Sequence, residues 1–200
     1  MDEVEAPGTG RLVVISGPSG VGKGTVVDAL RERRPSLRVS VSATTRPRRP
    51  HEVHGEHYFF LSREQFDGLV AADGFLEWAE FNGNRYGTPL QAVLDALAEG
   101  HTVLLEIEVQ GALQVRDRVP DALLVFLMPP DAGELARRLH GRGTESSDEI
   151  ADRLSIADQE MALAQALRGD VFDHVVVNRV VGEAAEEILR ILDGPSATPA

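Results

Sequence analysis

Gly17-Pro18-Ser19-Gly20-Val21-Gly22-Lys23-Gly24-Thr25 follows the apolar run Leu12-Val13-Val14-Ile15 and precedes a segment carrying Val26, Val27 and Leu30 at helical spacing. The order is strand, glycine-rich turn, helix. Gly17, Gly20, Gly22 and Gly24 allow backbone conformations and close approaches that a Cβ would hinder, so successive N–H groups can point at phosphate oxygens. Lys23 supplies the matching charge, and a helix opening near Thr25 adds unpaired N–H groups and a dipole that suit an anion. Pro18, Ser19 and Val21 fill the remaining positions of the phosphate-loop pattern G-x-x-x-x-G-K. The serine or threonine that normally follows the lysine and ligates Mg²⁺ is here Gly24, with Thr25 one residue later. A glycine-rich turn without a ligand is the plainer reading. The strand before it, the lysine in register and the helix after it favour phosphate binding.

At 200 residues with ordinary apolar and charged fractions, the chain can bury one core with a small inserted segment. A formal net charge of −12 argues against a general nucleic-acid binder and makes any local cluster of arginines informative. The sequence has no cysteine, which excludes disulfides, thiolate metal sites and cysteine nucleophiles. No apolar run reaches the length of a membrane span, and the acidic start is unlike a secretory signal, so a cytoplasmic protein with no membrane partner is expected. Residues 1–10 and 193–200 read as disordered tails.

Such a cluster lies in Ser42-Ala43-Thr44-Thr45-Arg46-Pro47-Arg48-Arg49-Pro50-His51-Glu52, where three arginines fall within four positions and two prolines forbid a regular helix. A solvated charge run is one reading. Guanidiniums beside hydroxyls also suit a phosphate dianion, since arginine donates two parallel hydrogen bonds. His51, His54 and His57 are evenly spaced, but the broken backbone gives them no common face, so they read as hairpin residues rather than as a metal site.

Residues 56–60 and 75–81 read as strands, and period-two alternation puts Phe75, Glu77, Ala79 and Phe81 on one face. Glu77 is then an acid on an apolar side, which is costly unless an arginine pairs with it or a ligand brings donors. Further expectations are strands over 38–41, 102–107, 122–128 and 174–177, and helices over 25–34, 63–71, 89–99, 111–118, 131–139, 150–168 and 181–192.

The phosphate loop, Ser40-Val41-Ser42-Ala43-Thr44-Thr45-Arg46-Pro47-Arg48 and Glu52-Val53-His54-Gly55-Glu56-His57-Tyr58-Phe59-Phe60 together resemble guanylate kinases. Phe75-Leu76-Glu77-Trp78-Ala79, Arg85-Tyr86-Gly87-Thr88, Val109-Gln110-Gly111-Ala112 and Gly141-Arg142-Gly143-Thr144-Glu145 continue the likeness in order, so that it spans about Arg11 to Leu192. The resemblance implies an α/β fold: a three-layer phosphate-loop kinase core (11–41 and 90–192) with a parallel sheet, a GMP-binding insert (42–89) and a small lid at about 140–147. It implies ATP on Gly17, Pro18, Ser19, Gly20, Val21, Gly22, Lys23, Gly24 and Thr25, with Asn178 on the adenine side. It implies GMP or dGMP on Ser42, Arg46, Arg49, Tyr58, Glu77, Tyr86, Thr88 and Glu108. Phosphoryl transfer would fall to Lys23, Arg46, Arg138, Arg142 and Arg153. Mg²⁺ would accompany ATP with no direct protein ligand assigned, most of its waters being kept and Thr25 touching a phosphate. Two alternatives remain on the residues alone: a kinase for another phosphorylated small molecule, and a non-catalytic interaction module of the same fold.

Overall fold

A computed structural model describes residues 10–81, 83–140, 147–167 and 169–194; the side chains of 140 and 147–153 lie outside that description. Residues 1–9 and 195–200 of the expected tails and the lid segment 141–146, with Arg142, fall outside it, as does the side chain of Arg153; Asp193, expected in the second tail, instead ends the last helix.

The continuous apolar runs become the middle of a sheet. In β1 (Arg11–Ser16) and β8 (Leu123–Met128) the residues Val13, Val14, Ile15, Leu124, Val125, Phe126 and Leu127 are fully buried. Strands apolar on both faces need cover on both, the usual situation of a parallel sheet. With β2 (Arg38–Val39), β7 (Thr102–Glu106) and β9 (His174–Val177) they form a five-stranded sheet of order β2-β7-β1-β8-β9, in which the β2–β7 and β8–β9 pairs are parallel. A second sheet has the order β4-β3-β6-β5, from β3 (Ala43–Thr44), β4 (Phe59–Phe60), β5 (Phe75–Phe81) and β6 (Asn84–Pro89). With α1 (Lys23–Arg33), α2 (Arg63–Ala71), α3 (Leu90–Ala98), α4 (Val109–Arg118), α5 (Ala132–His140), α6 (Ser147–Ala166) and α7 (Val181–Asp193), this is the mixed α/β fold that the sequence implies. Among the described residues no helix is long and apolar enough to cross a membrane.

The chain divides into two compact units, Met1–Val14 with Ser36–Leu124 and Ile15–Pro35 with Val125–Ala200. The first is built around the second sheet. Phe66 of α2 is fully buried and stacks on Phe75 at 4.3 Å between ring centroids, with Ala43 in the same cluster. α2 starts at a capping box: Gln65 N donates to Ser62 Oγ, and Ser62 N donates to Gln65 Oε1 at 2.8 Å. The second unit holds the phosphate loop and packs Leu135 and Leu139 of α5 against Ala157 of α6, with Phe126 on Phe172 at 5.0 Å.

Three readings need correction. Residues 56–60 do not form one strand; β4 is only Phe59–Phe60, because Gly55 adopts φ 84° and its N–H closes a turn on the Tyr58 carbonyl at 2.9 Å. Two of the histidines hold that turn: His57 Nδ1 accepts from Val53 N at 3.1 Å and His54 Nδ1 from Phe60 N at 3.2 Å. α1 opens at Lys23 rather than Thr25, which makes Gly24 helical; Gly22, at φ 97°, is the left-handed residue before it. The alternation along β5 is also broken. Phe75 pairs with Pro89 but Glu77 pairs with Thr88, so Leu76 is the extra residue of a bulge. Phe75 and Trp78 therefore both face Phe66, and Glu77 points the other way.

Candidate functional site

In the second unit, the loop from Gly17 to Gly22 is braced by the residues around it. A Cβ at Gly20 (φ 86°) would lie 2.7 Å from Leu139 Cδ2, so the loop sits directly on α5. The Val21 carbonyl accepts from Asn178 Nδ2 at 2.8 Å and from an Arg138 guanidinium nitrogen at 2.9 Å. Arg138 also donates to the Asn178 carbonyl at 3.0 Å and to Glu134 Oε1 at 2.7 Å. Both residues thus clamp the phosphate loop from behind, and the buried Asn178 Oδ1 has no partner among the described residues. Lys23 Nζ donates to the Gly17 carbonyl at 2.6 Å, inside the turn of the loop. Thr25 is exposed on the first turn of α1, the end whose free N–H groups and dipole favour an anion.

In the first unit the predicted residues form two clusters on the second sheet. Tyr86 and Thr88 alternate along β6 and so share a face. At the Tyr86 end, Tyr58 meets Tyr86 edge-on at 6.2 Å, and the Arg46 guanidinium lies 5.0 Å from the Tyr58 ring centroid. Arg46 is held by Glu52 through two bonds, of 2.5 and 2.7 Å, and Glu52 also accepts from the backbone N of Arg49 at 2.8 Å. Arg46 and that Arg49 amide hold the Glu52 carboxyl at about 2, well below its usual range. Burial pushes the Tyr58 hydroxyl up, and the charge of Glu106 adds to it. The Arg49 side chain is exposed, and Ser42 accepts from Phe59 N through its carbonyl at 2.9 Å.

At the Thr88 end, Glu77 is 5% exposed, and its Oε1 accepts from Thr88 Oγ1 at 2.7 Å. Among the described residues no cation pairs with it. Burial pushes its carboxyl up to about 7; the Thr88 bonds oppose this, and the charge of Glu108, which sits before α4, adds to it. A buried carboxyl whose pKa is raised in this way can ionise when a ligand supplies donors. Facing it is Gly111, where a Cβ would lie 2.5 Å from Glu77 Oε2. Glu52 and Gly111 were not singled out from the sequence. Both lie inside the quoted stretches, but nothing in the pattern shows that Glu52 folds back on Arg46 or that Gly111 meets Glu77.

Known proteins resemble this chain over most of its length. The guanylate kinase family model matches residues 9–194. The guanylate kinase of Thermobifida fusca is 54% identical over 93% of this chain and 92% of its own, and that of Streptomyces coelicolor 54% identical over 90% and 89%. The crystal structure of guanylate kinase from Anaplasma phagocytophilum is similar with a TM-score of 0.76 at 32% identity, covering 96% of this chain and 89% of that one. This chain belongs to the guanylate kinase family. Within that family's frame the loop-bearing unit carries the residues expected for ATP, and the unit with the second sheet carries those expected for GMP. Gly24 remains a departure from the general phosphate-loop pattern, since its position offers a metal no side-chain oxygen.

Proposed function

We propose that this chain transfers the γ-phosphoryl group of ATP to GMP, and to dGMP, giving ADP and the nucleoside diphosphate. The observation that carries the reading is Glu77: a buried carboxylate bonded to Thr88, lacking a protein cation among the described residues, and faced by a glycine. Guanine brings the donors such a group lacks, its N1–H and exocyclic amine. Thr88 and Ser42 would supply the hydroxyls around the base, and Glu108 a second acceptor at its edge. Arg46, preset by Glu52, would meet the GMP phosphate with Tyr58, Tyr86 and Arg49.

The acceptor needs no general base. A phosphate monoester loses its second proton with a pKa of about 6, so the attacking oxygen is already anionic at neutral pH. The residues then have to align two polyanions and offset their repulsion. Lys23 would turn from the loop carbonyls to the β/γ-phosphates, while the loop amides and the N-terminus of α1 cradle the chain of phosphates. Arg138 would hold the loop rigid, and Arg142 and Arg153 would meet the transferring group. Mg²⁺ bound with ATP would supply further positive charge to offset the repulsion of the phosphates. Gly24 in the hydroxyl position, with Thr25 exposed one residue on, fits an ion that keeps its waters and is held through phosphate oxygens.

Phosphorus NMR of the protein with ATP, Mg²⁺ and GMP tests this reading. The monophosphate and γ signals should be replaced by those of two diphosphates. Loss of the γ signal with an unchanged GMP signal would make the chain an ATPase and overturn it.

A further inference from the structure

Glu77 faces away from Phe75 because β5 is bulged at Leu76, and one face of α4 holds that bulge. Gly111, Gln114 and Arg118 are three and four residues apart and so lie along one side of the helix. Arg118 is 3% exposed, an unusual place for a guanidinium. One of its terminal nitrogens donates to the Phe75 carbonyl at 2.6 Å and lies 3.4 Å from that of Leu76, while the other meets Asp73 Oδ2 at 2.7 Å. A bulge leaves backbone groups out of the ladder, and a buried carbonyl without a donor is costly. Arg118 supplies donors where the ladder is interrupted.

Beyond Glu77 the helix grips again. Gln114 Nε2 donates to the Trp78 carbonyl at 2.8 Å, and its Oε1 accepts from Trp78 N at 3.2 Å, as a strand partner would. One turn before Gln114 on the same side stands Gly111, whose missing side chain leaves room for the carboxylate: a Cβ there would lie 2.5 Å from Glu77 Oε2 and 3.1 Å from its carboxyl carbon. The backbone on both sides of Glu77 is thus fixed by side chains of α4, and the carboxylate lies over the one position of that face that has none.

We propose that the Gly111, Gln114 and Arg118 face of α4 positions Glu77 and thereby sets the selectivity of the site for guanine. Arg118 and Gln114 are positioning residues that act through the bulge. The proposal rests on Glu77 being the acceptor for the base, and its logic is geometric. Two hydrogen bonds to N1–H and the amine require both carboxylate oxygens in the plane of the ring, and a displacement of about 1 Å costs about a hundredfold where geometry is exacting. Discrimination against hypoxanthine, which lacks the amine, depends most on that geometry.

Arg118→Met, Arg118→Lys, Gln114→Leu and Glu77→Gln are compared in steady-state kinetics with GMP and with IMP, alongside thermal unfolding. Arg118→Met and Gln114→Leu should each raise KM for GMP about tenfold or more with KM for ATP unchanged, and should shrink the preference for GMP over IMP. Arg118→Lys should recover part of that preference, since an ammonium can still donate to the Phe75 carbonyl but lacks the fork that also reaches Asp73. Should Arg118→Met fail to fold, Gln114→Leu, at a more exposed position, carries the test. Wild-type preference for GMP over IMP in the α4 variants, with Glu77→Gln losing it, would overturn the positioning role and leave the base reading intact. Wild-type preference in Glu77→Gln itself would overturn both. Equal rises in KM for GMP and ATP, tracking the loss of thermal stability, would show that the clamp only holds the fold.

Discussion

Lowering the pH from 8 to 6 should weaken GMP binding about twentyfold, and nearly all of that loss should vanish in Glu77→Gln. The Glu77 carboxyl, pushed up to about 7 by its burial, must be ionised to accept two hydrogen bonds from guanine. At pH 8 about ten in eleven molecules carry the carboxylate and at pH 6 about one in eleven, a tenfold difference. The second pKa of the GMP phosphate, about 6, adds a factor of about two over the same range. Glu77→Gln removes the tenfold part and keeps the twofold part, with lower affinity throughout. Isothermal titration calorimetry at pH 6, 7 and 8 reads the affinities directly. Repeating the pH 7 titration in buffers of different ionisation enthalpy counts protons: wild type should release about half a proton per GMP from Glu77, beyond what the phosphate releases, and Glu77→Gln none. A wild-type affinity that changes only about twofold, or a Glu77→Gln variant with the pH dependence of wild type, would refute the assignment of Glu77 to the base.

Glu77 should also cost the ligand-free protein stability. Its folded-state pKa lies above that of a free carboxyl, so stability falls as pH rises from 4.5 to about 7 and is level above that. Denaturant titration should find Glu77→Gln more stable than wild type at pH 8, by at most about 3 kcal/mol from that gap at 1.36 kcal/mol per pH unit, and no more stable at pH 4. Lys23→Met should abolish transfer while circular dichroism shows the fold unchanged; substantial residual turnover would remove the phosphate-loop assignment. Arg46→Ala should weaken GMP far more than guanosine, because only the nucleotide carries the dianion, and equal losses would mean that the Arg46–Glu52 pair serves the loop alone.

The sequence makes legible what depends on local pattern. The apolar runs of β1 and β8 and the glycine-rich turn between β1 and α1 need only neighbours in the chain to be read. What escaped it depends on partners far away in sequence. The parity argument put Glu77 beside Phe75, yet the bulge at Leu76, stabilised by Arg118 forty-two residues on, turns the carboxylate to the opposite face. The strand expected over 56–60 shrank because Gly55 and two histidine rings close a turn first. The arginine-rich loop was legible as a concentration of charge. Which arginine is fixed was not, since that is decided by where the Glu52 carboxylate folds back.

The central claim, that Glu77 and Arg46 make this chain a kinase for guanine monophosphates, meets its most direct test in ADP release coupled to an optical readout. The purified chain is given ATP and Mg²⁺ with GMP, dGMP, IMP, AMP, CMP and UMP in turn. The account predicts rapid release with GMP and dGMP, release slower by orders of magnitude with IMP, and none above background with AMP and the pyrimidines. Release with AMP or UMP as fast as with GMP, or none with any of the six, would contradict it.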